Sequence, residues 1–258
     1  MRIKLINPNT TESMTQAMAA AARDVAAAGT VIDAVTSPSG PVSIEGHYDE
    51  AVSVLGLIDA IHADPGADAY VLACFGDPGL LAAREMTAAP VVGIAEAAMH
   101  AATFLSTSFS IVTTLARTRI IAETLVRNYG MQTACRAVRA TDLPVLELDC
   151  PDDRVNEIVL AECRRALEED RCGAIVLGCA GMAGLVEYLR PRLPVPVIDG
   201  VTAAVKFAEA LVGAGLQTSK HGDLAYPLAK PYTGKLAGYA PSILRGGGEQ
   251  RPEIHPAG

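Results

Sequence analysis

An apolar octapeptide, Ala69-Tyr-Val-Leu-Ala-Cys-Phe-Gly76, recurs as Ala174-Ile-Val-Leu-Gly-Cys-Ala-Gly181. The surroundings repeat with it. Thr113-Thr114 stand at the tip of the strand candidate 108–113, and Pro8-Asn9 take the corresponding place after the strand candidate 2–6. Pro196-Val-Ile-Asp199 mirrors Pro90-Val-Val-Gly93. A period of about a hundred residues is too long for a solenoid unit and right for two duplicated domains. Short, continuously apolar runs alternating with helical patterns predict mainly parallel sheets buried on both faces. The expected fold is therefore α/β: two pseudo-symmetric three-layer αβα domains with an active-site cleft between them. The first domain is expected over 1–98 plus 207–240 and the second over 99–206.

Within that frame, helices are predicted over about 11–28, 49–62, 96–105, 116–129, 155–169 and 201–213, with weaker strands at 133–139 and 145–148. Asn9-Thr-Thr-Glu12 has the form of a capping box. Asp77 and Pro78 read as cap and first residue of a helix directly after Cys74. Ser37-Pro-Ser-Gly-Pro41 and Ser43-Ile-Glu-Gly46 form a loop. The glycine-rich segment 245–258 reads as a disordered tail.

Composition limits what such a chain can do. Its 258 residues carry a formal net charge of −8, which offers no electrostatic footprint for nucleic acid or an anionic membrane. No apolar run is long enough to span a bilayer, and the N-terminus lacks a signal-peptide core, so a cytoplasmic location is expected. The six cysteines include no CxxC pair and are expected reduced. His47 and Asp49 are too few for a metal site, so none is expected.

Cys135, Cys150, Cys163 and Cys172 are expected to be apolar filler. Cys74 and Cys179 differ, because each ends a strand just ahead of a predicted helix, where amide groups favour thiolate. In a parallel sheet the carboxyl ends of the strands carry the ligand. That brings Asn9, Cys74, Thr113, Thr114 and Cys179 to the sheet edges, and a twofold arrangement would set the thiols across one cleft. An acid and a base on opposite faces of one carbon suit racemisation or epimerisation, since a thiol can serve as either near neutrality. The amides of Phe75, Gly76, Ala180 and Gly181 are candidate donors to an enolate oxygen. No GxSxG, GxGxxG or Walker pattern follows a strand. A Cys-His pair would need a partner such as His100 or His221, and His221 reads better as a loop or terminal packing residue. For Pro8-Asn9-Thr10 a plain helix cap competes with ligand binding.

These residues resemble the aspartate/glutamate racemase superfamily. Ile6-Asn-Pro-Asn-Thr10, Ser43-Ile-Glu-Gly46, Ala73-Cys-Phe-Gly-Asp-Pro-Gly79, Phe109-Ser-Ile-Val-Thr-Thr114, Val176-Leu-Gly-Cys-Ala-Gly-Met182 and Pro196-Val-Ile-Asp-Gly200 are similar to its hydantoin racemase branch. With Gly93-Ile-Ala-Glu-Ala-Ala-Met-His100 and Thr218-Ser-Lys-His-Gly-Asp223 the pattern resembles the allantoin racemases. The resemblance implies a cofactor-independent two-base racemase with Cys74 and Cys179 as the pair, Cys74 serving the D form and Cys179 the L form. It implies ring contacts at Asn9, Ser43, Ile44, Phe75, Gly76, Thr113, Thr114, Ala180 and Gly181, a small hydantoin-ring substrate such as allantoin, and a homo-oligomer. Cys-Phe-Gly and Cys-Ala-Gly replace the Cys-Asn-Thr and Cys-Thr-His of amino-acid racemases, which favours a neutral ring over a free amino acid. A general 5-substituted hydantoin racemase, a maleate-type cis–trans isomerase and a non-catalytic binding module remain as alternatives.

Overall fold

A computed structural model describes residues 1–149 and 151–241 of the chain. Cys150 and the segment 245–258 lie outside the described residues. Eight strands make two parallel four-stranded sheets of identical order. In the first, β1 (Arg2–Asn7) lies between β2 (Val31–Thr36) and β3 (Ala69–Leu72), with β4 (Val91–Gly93) beyond β3. The second repeats this with β5 (Phe109–Thr113), β6 (Cys135–Ala140), β7 (Ile175–Leu177) and β8 (Val197–Ile198). The order follows from the sequence repeat. The central strands β1, β3, β5 and β7 are buried throughout or nearly so, because helices cover both of their faces.

The helices are α1 (Glu12–Val25), α2 (His47–Ala63), α3 (Leu80–Met86), α4 (Ile94–Leu105), α5 (Arg119–Asn128), α6 (Asp153–Arg165), α7 (Val186–Leu189) and α8 (Gly200–Gly213). On the outer face of the first sheet, Ile6, Tyr70 and Leu72 pack against Leu57 and Ile61 of α2 and Leu80 of α3. On the outer face of the second, Ile175 and Leu177 pack against Val159 and Leu160 of α6 and Leu189 of α7. The inner faces share one core that joins Ile3, Leu5 and Val71 to Ile111, Val176 and Ile198.

The middle of that core is a helix exchange. Helix α4 leaves the first sheet after β4 and packs on β7 and β8, whereas α8 leaves the second after β8 and packs on β3 and β4. The two also pack on each other through Ala95, Ala98, Ala102, Ala204 and Ala208, all buried. Small side chains let the helices approach closely, which explains an alanine-rich chain with no tryptophan.

Four local expectations are corrected. Glu12 does not close a capping box, because it bonds to Thr36 and Gln16, and the Thr11 amide is met by Asn9 Oδ1 at 2.9 Å. Residues 145–148 form a 3-10 turn rather than a strand, since Pro144 and the turn before it start a new direction. No helix begins directly at Cys74; Gly79, in the left-handed region at φ 74°, precedes α3. Asp77 caps a different helix: its carboxylate accepts from Ala95 N at 3.1 Å and Glu96 N at 2.9 Å, the first turn of α4. In the second half Asp199 caps α8 from the strand tip itself, accepting from Thr202 N at 2.8 Å. The equivalent position in the first half is Gly93, where a methyl group would collide with the Asp77 carboxylate.

After α8 the chain returns to the first sheet. Thr218 N bonds to Ala88 O at 2.9 Å and Tyr239 Oη to Asp59 at 3.1 Å. The Lys220 ammonium donates to the carbonyls of Arg84, Glu85 and Leu224, so it caps the C-terminal end of α3. The Thr218–Asp223 motif is thus a docking segment outside the cleft, and His221 is an exposed loop residue. Replacing Lys220 by Ala is expected to cost about 1 kcal/mol and lower the melting temperature by about 3 °C. Limited proteolysis should then cut beyond residue 213 faster than in the wild type.

Candidate active site

Between the two sheets, at the carboxyl ends of their strands, lies a cleft with an open volume of about 580 Å³, mouth included. Cys74 and Cys179 both line it, at the tips of β3 and β7. Each thiol is half-buried, and they lie close enough for a charge on Cys179 to disfavour one on Cys74. Asn9, Ile44, Phe75, Gly76, Thr113, Thr114 and Ala180 line the same cleft.

Two expected contacts fall elsewhere. Ser43 stays in the loop beside Ile44 but outside the lining. Gly181 packs between Leu148 and Met14 outside the lining, and its amide lowers the pKa of the Cys179 thiol. The Gly76 amide likewise serves Cys74. These two amides thus favour the thiolate forms, and the amides of Phe75 and Ala180 are further candidates for a substrate oxygen.

The hydroxyls and amides divide in the same way. Thr113 Oγ1 donates to Gly178 O at 2.9 Å and so braces β5 against the β7 tip. Thr114 Oγ1 has no hydrogen-bond partner among the described residues and faces the cleft. Asn9 spends its side-chain oxygen on Thr11 N and Asn7 Nδ2, while its amide donor meets only Met14 Sδ at 3.8 Å. Thr114 and Asn9 thus each keep a donor for a ligand.

Burial in the cleft works against the charged form of both thiols. Burial pushes Cys179 up to about 11, against the pull of the Gly181 and Met182 amides. Cys74 rises further, first by burial and then through the charges of Cys179, Glu50 and Asp77. The physical reason is local: no helix N-terminus abuts Cys74, and the nearest charges on both sides are carboxylates. Cys179 is thus the more readily ionised of the two.

Cys135, Cys163 and Cys172 sit in the packed interior, and burial holds Cys135 and Cys163 up at about 12. They pack as filler. His100 bonds to Glu96 O along its own helix and does not reach the cleft. Among the described residues no group of three His, Cys, Asp or Glu side chains could hold a metal ion. No helix there is long and apolar enough to cross a membrane.

Sequence reasoning missed Glu50, Met14, Thr118, Ile121, Ala122 and Val145, all of which line the cleft. Glu50 had one detectable signal, the glycine opposite it. A methyl group at position 76 would collide with Glu50 Oε1. Glu45 reaches across to the second half, where Val145 N donates to it at 2.8 Å, so the 37–46 loop bridges the cleft.

The Asp/Glu/Hydantoin racemase family matches residues 3–208 of this chain. The chain belongs to that family. Hydantoin racemase from Rhizobium meliloti is 50% identical over 236 residues, covering 91% of this chain and 98% of that enzyme. Hydantoin racemase from Pseudomonas sp. (strain NS671) is 47% identical over 241 residues, covering 93% and 97%. The solved structure of allantoin racemase from Klebsiella pneumoniae superposes with a TM-score of 0.90 at 56% identity, covering 93% of this chain and 99% of that one. As a member of this racemase family the chain is an isomerase. The paired α/β sheets are the family fold, and the cleft is where a racemase needs two groups opposed.

Proposed function

We propose that this racemase inverts the C5 stereocentre of a hydantoin ring by proton transfer between Cys179 and Cys74, and that allantoin is its substrate. One observation carries the reading: the cleft presents two thiols, and no lysine, arginine or histidine lines it. A free amino acid or a small diacid brings carboxylates that need a cationic or multidonor partner in a desolvated site. A hydantoin is neutral, with carbonyls that suit Asn9, Thr114 and the amides of Phe75 and Ala180. The same absence of cations argues against a maleate-type isomerase. The named relatives act on hydantoins and allantoin, and they add support from outside the geometry.

In the forward step the Cys179 thiolate takes the C5 proton. The S–H bond forms, the C–H bond breaks, and the electron pair moves onto the C4 carbonyl as an enolate. Cleft donors stabilise that oxygen. The Cys74 thiol then gives its proton to the opposite face of C5 and is left as thiolate. Reversal uses the same groups in exchanged roles, so no cofactor is needed. Each thiol then serves one enantiomer, Cys74 the D form and Cys179 the L form. The partition into 1–98 with 207–240 and 99–206 is supported by the return of the chain to the first sheet after α8. A homo-oligomer is the assembly we propose.

Incubating enantiopure allantoin and 5-benzylhydantoin in D2O, with optical rotation and C5 deuterium followed together, tests the reading. Exchange above the spontaneous rate on neither compound would sink it. Exchange on both with equal kcat/KM would point to a general hydantoin racemase. A thiol at about 11 also sets a pH dependence. The thiolate fraction rises about tenfold per pH unit below the pKa, so kcat/KM is expected to climb by about that factor from pH 6 to 7 and again from 7 to 8. A plateau already reached below pH 7 would show a base ionised by other means.

A further inference from the structure

Among the described residues Glu50 is the one charged side chain lining the cleft. It stands on the first turn of α2, and its Oε1 lies against the bare Cα of Gly76, two residues beyond Cys74. Its only ion-pair partner is His47, at 3.4 Å, whose side chain is 72% exposed. That contact sits on the solvent side and leaves the carboxylate without a buried donor. The walls around it are apolar or donor-bearing: Ile44, Phe75, Thr114, and Ile121 with Ala122 across the cleft. A half-buried carboxylate with no internal donor gains from a ligand that supplies one. The sequence holds glycine at position 76, where any side chain would displace Glu50.

Resting on the racemase reading above, we infer that Glu50 is a specificity-determining residue that accepts hydrogen bonds from N–H groups on the C5 substituent of the hydantoin. It selects ureido, amide or amine-bearing substituents and rejects acidic ones. Attraction and rejection both follow from one fixed negative charge. A ureido group offers several N–H donors to a carboxylate, a charge-assisted pairing. A carboxymethyl substituent would place a second negative charge beside the first, in a site where water screens poorly. A plain alkyl substituent meets neither effect. Burial pushes the Glu50 carboxyl upward, with His47 pulling it down and Asp49 adding to the rise. The comparison below is therefore made at pH 8, where the carboxylate form is favoured.

The test is Glu50→Gln, which keeps shape and packing against Gly76, read on three substrates by C5 deuterium exchange. For allantoin, kcat/KM is expected to fall on the order of tenfold to a hundredfold, mainly through KM, the range for losing a charge-assisted hydrogen bond. For 5-methylhydantoin it is expected to change by less than about threefold. For 5-carboxymethylhydantoin it is expected to rise. Equal losses on all three would overturn the inference and assign Glu50 to the ring or to Cys74. No change on any of them would overturn it as well. A second measurement separates this from the racemase reading: calorimetric binding of the same three compounds to Cys74→Ser/Cys179→Ser, with and without Glu50→Gln. If the wild-type enzyme exchanges none of them, the racemase reading fails. The order of binding, and its reversal by Glu50→Gln, still decides the role of Glu50. A misfolded variant would lose all three ligands together, whereas the inference requires a crossing pattern.

Discussion

Replacing Cys74 or Cys179 by Ser is expected to lower racemisation by at least about a thousandfold while leaving the fold intact. Serine keeps the geometry, but its hydroxyl ionises far above any working pH. The variant therefore loses either its base or its acid, a step worth ~10²–10⁴ in rate for each positioned group. The loss should fall on kcat with little change in KM, because the thiols bind substrate weakly and act on the C5 proton. The two variants should not be equivalent. With Cys179 intact, the Cys74→Ser enzyme should still wash deuterium into the enantiomer that presents its proton to Cys179, without inverting it. With Cys74 intact, the Cys179→Ser enzyme should do the same for the other enantiomer. Proton NMR in D2O beside polarimetry resolves exchange from inversion. If both variants racemise at the wild-type rate, the pair assignment is wrong, whatever the substrate. Thermal stability serves as the control: each thiol faces open space, so a one-atom change should cost less than about 1 kcal/mol.

The second large effect is on stability. Gly200 opens α8 at the point where that helix meets the start of α4. A methyl group there would collide with the carbonyl oxygen of Ile94 and stand 2.9 Å from its carbon. Backbone cannot rotate away as a side chain can, so the two exchanged helices would have to separate. Gly200→Ala is expected to destabilise the protein by about 3 kcal/mol, the upper end of the usual cost of overpacking. For a chain of this size that lowers the melting temperature by about 10 °C. The contrast lies in the same helix. Gly213, its last residue, has nothing within 4 Å of the added methyl. Gly213→Ala should be neutral or stabilise slightly through helix propensity. Differential scanning calorimetry on the two variants separates a steric from a propensity effect. Equal melting temperatures would show that the α4–α8 approach tolerates a methyl group.

The exchange of α4 and α8 also bears on the chemistry. The cleft lies between two sheets, so the distance between the thiols depends on how the halves are held. The Ala-rich helix pair fixes that relation at the centre. Asp77 adds a second tie, because the carboxylate that caps α4 also accepts from Tyr129 Oη of the second half at 2.7 Å. The loop that carries Cys74 is thereby anchored to both halves at once. Burial pushes Asp77 up to about 7 despite these donors, which is the cost of placing a carboxyl in that joint.

Much of this was legible along the chain, because duplication and strand periodicity are local signals. The matching octapeptides at 69–76 and 174–181 led to two sheets of one topology, and the apolar runs to strands covered on both faces. The cysteine pair came from the repeat alone, and both thiols do line one cleft. What the chain could not disclose were contacts made between distant segments. Asp77 looked like the cap of its own helix and caps α4 instead, because the space over Gly93 is left open for it. Gly181 was expected to touch substrate; it stands beside the Cys179 sulfur and outside the cleft lining. Glu50 carried no motif; it reaches the cleft from the first turn of α2, far from both cysteines in sequence. The thiols' acidity likewise depends on burial and on carboxylates brought in from elsewhere, which strand-tip position does not disclose. The chain by itself thus determined the duplicated architecture and the pair of thiols, since both are written in periodicity. Tertiary structure decided what surrounds them, since charge and solvent at a site are set by segments far apart in sequence.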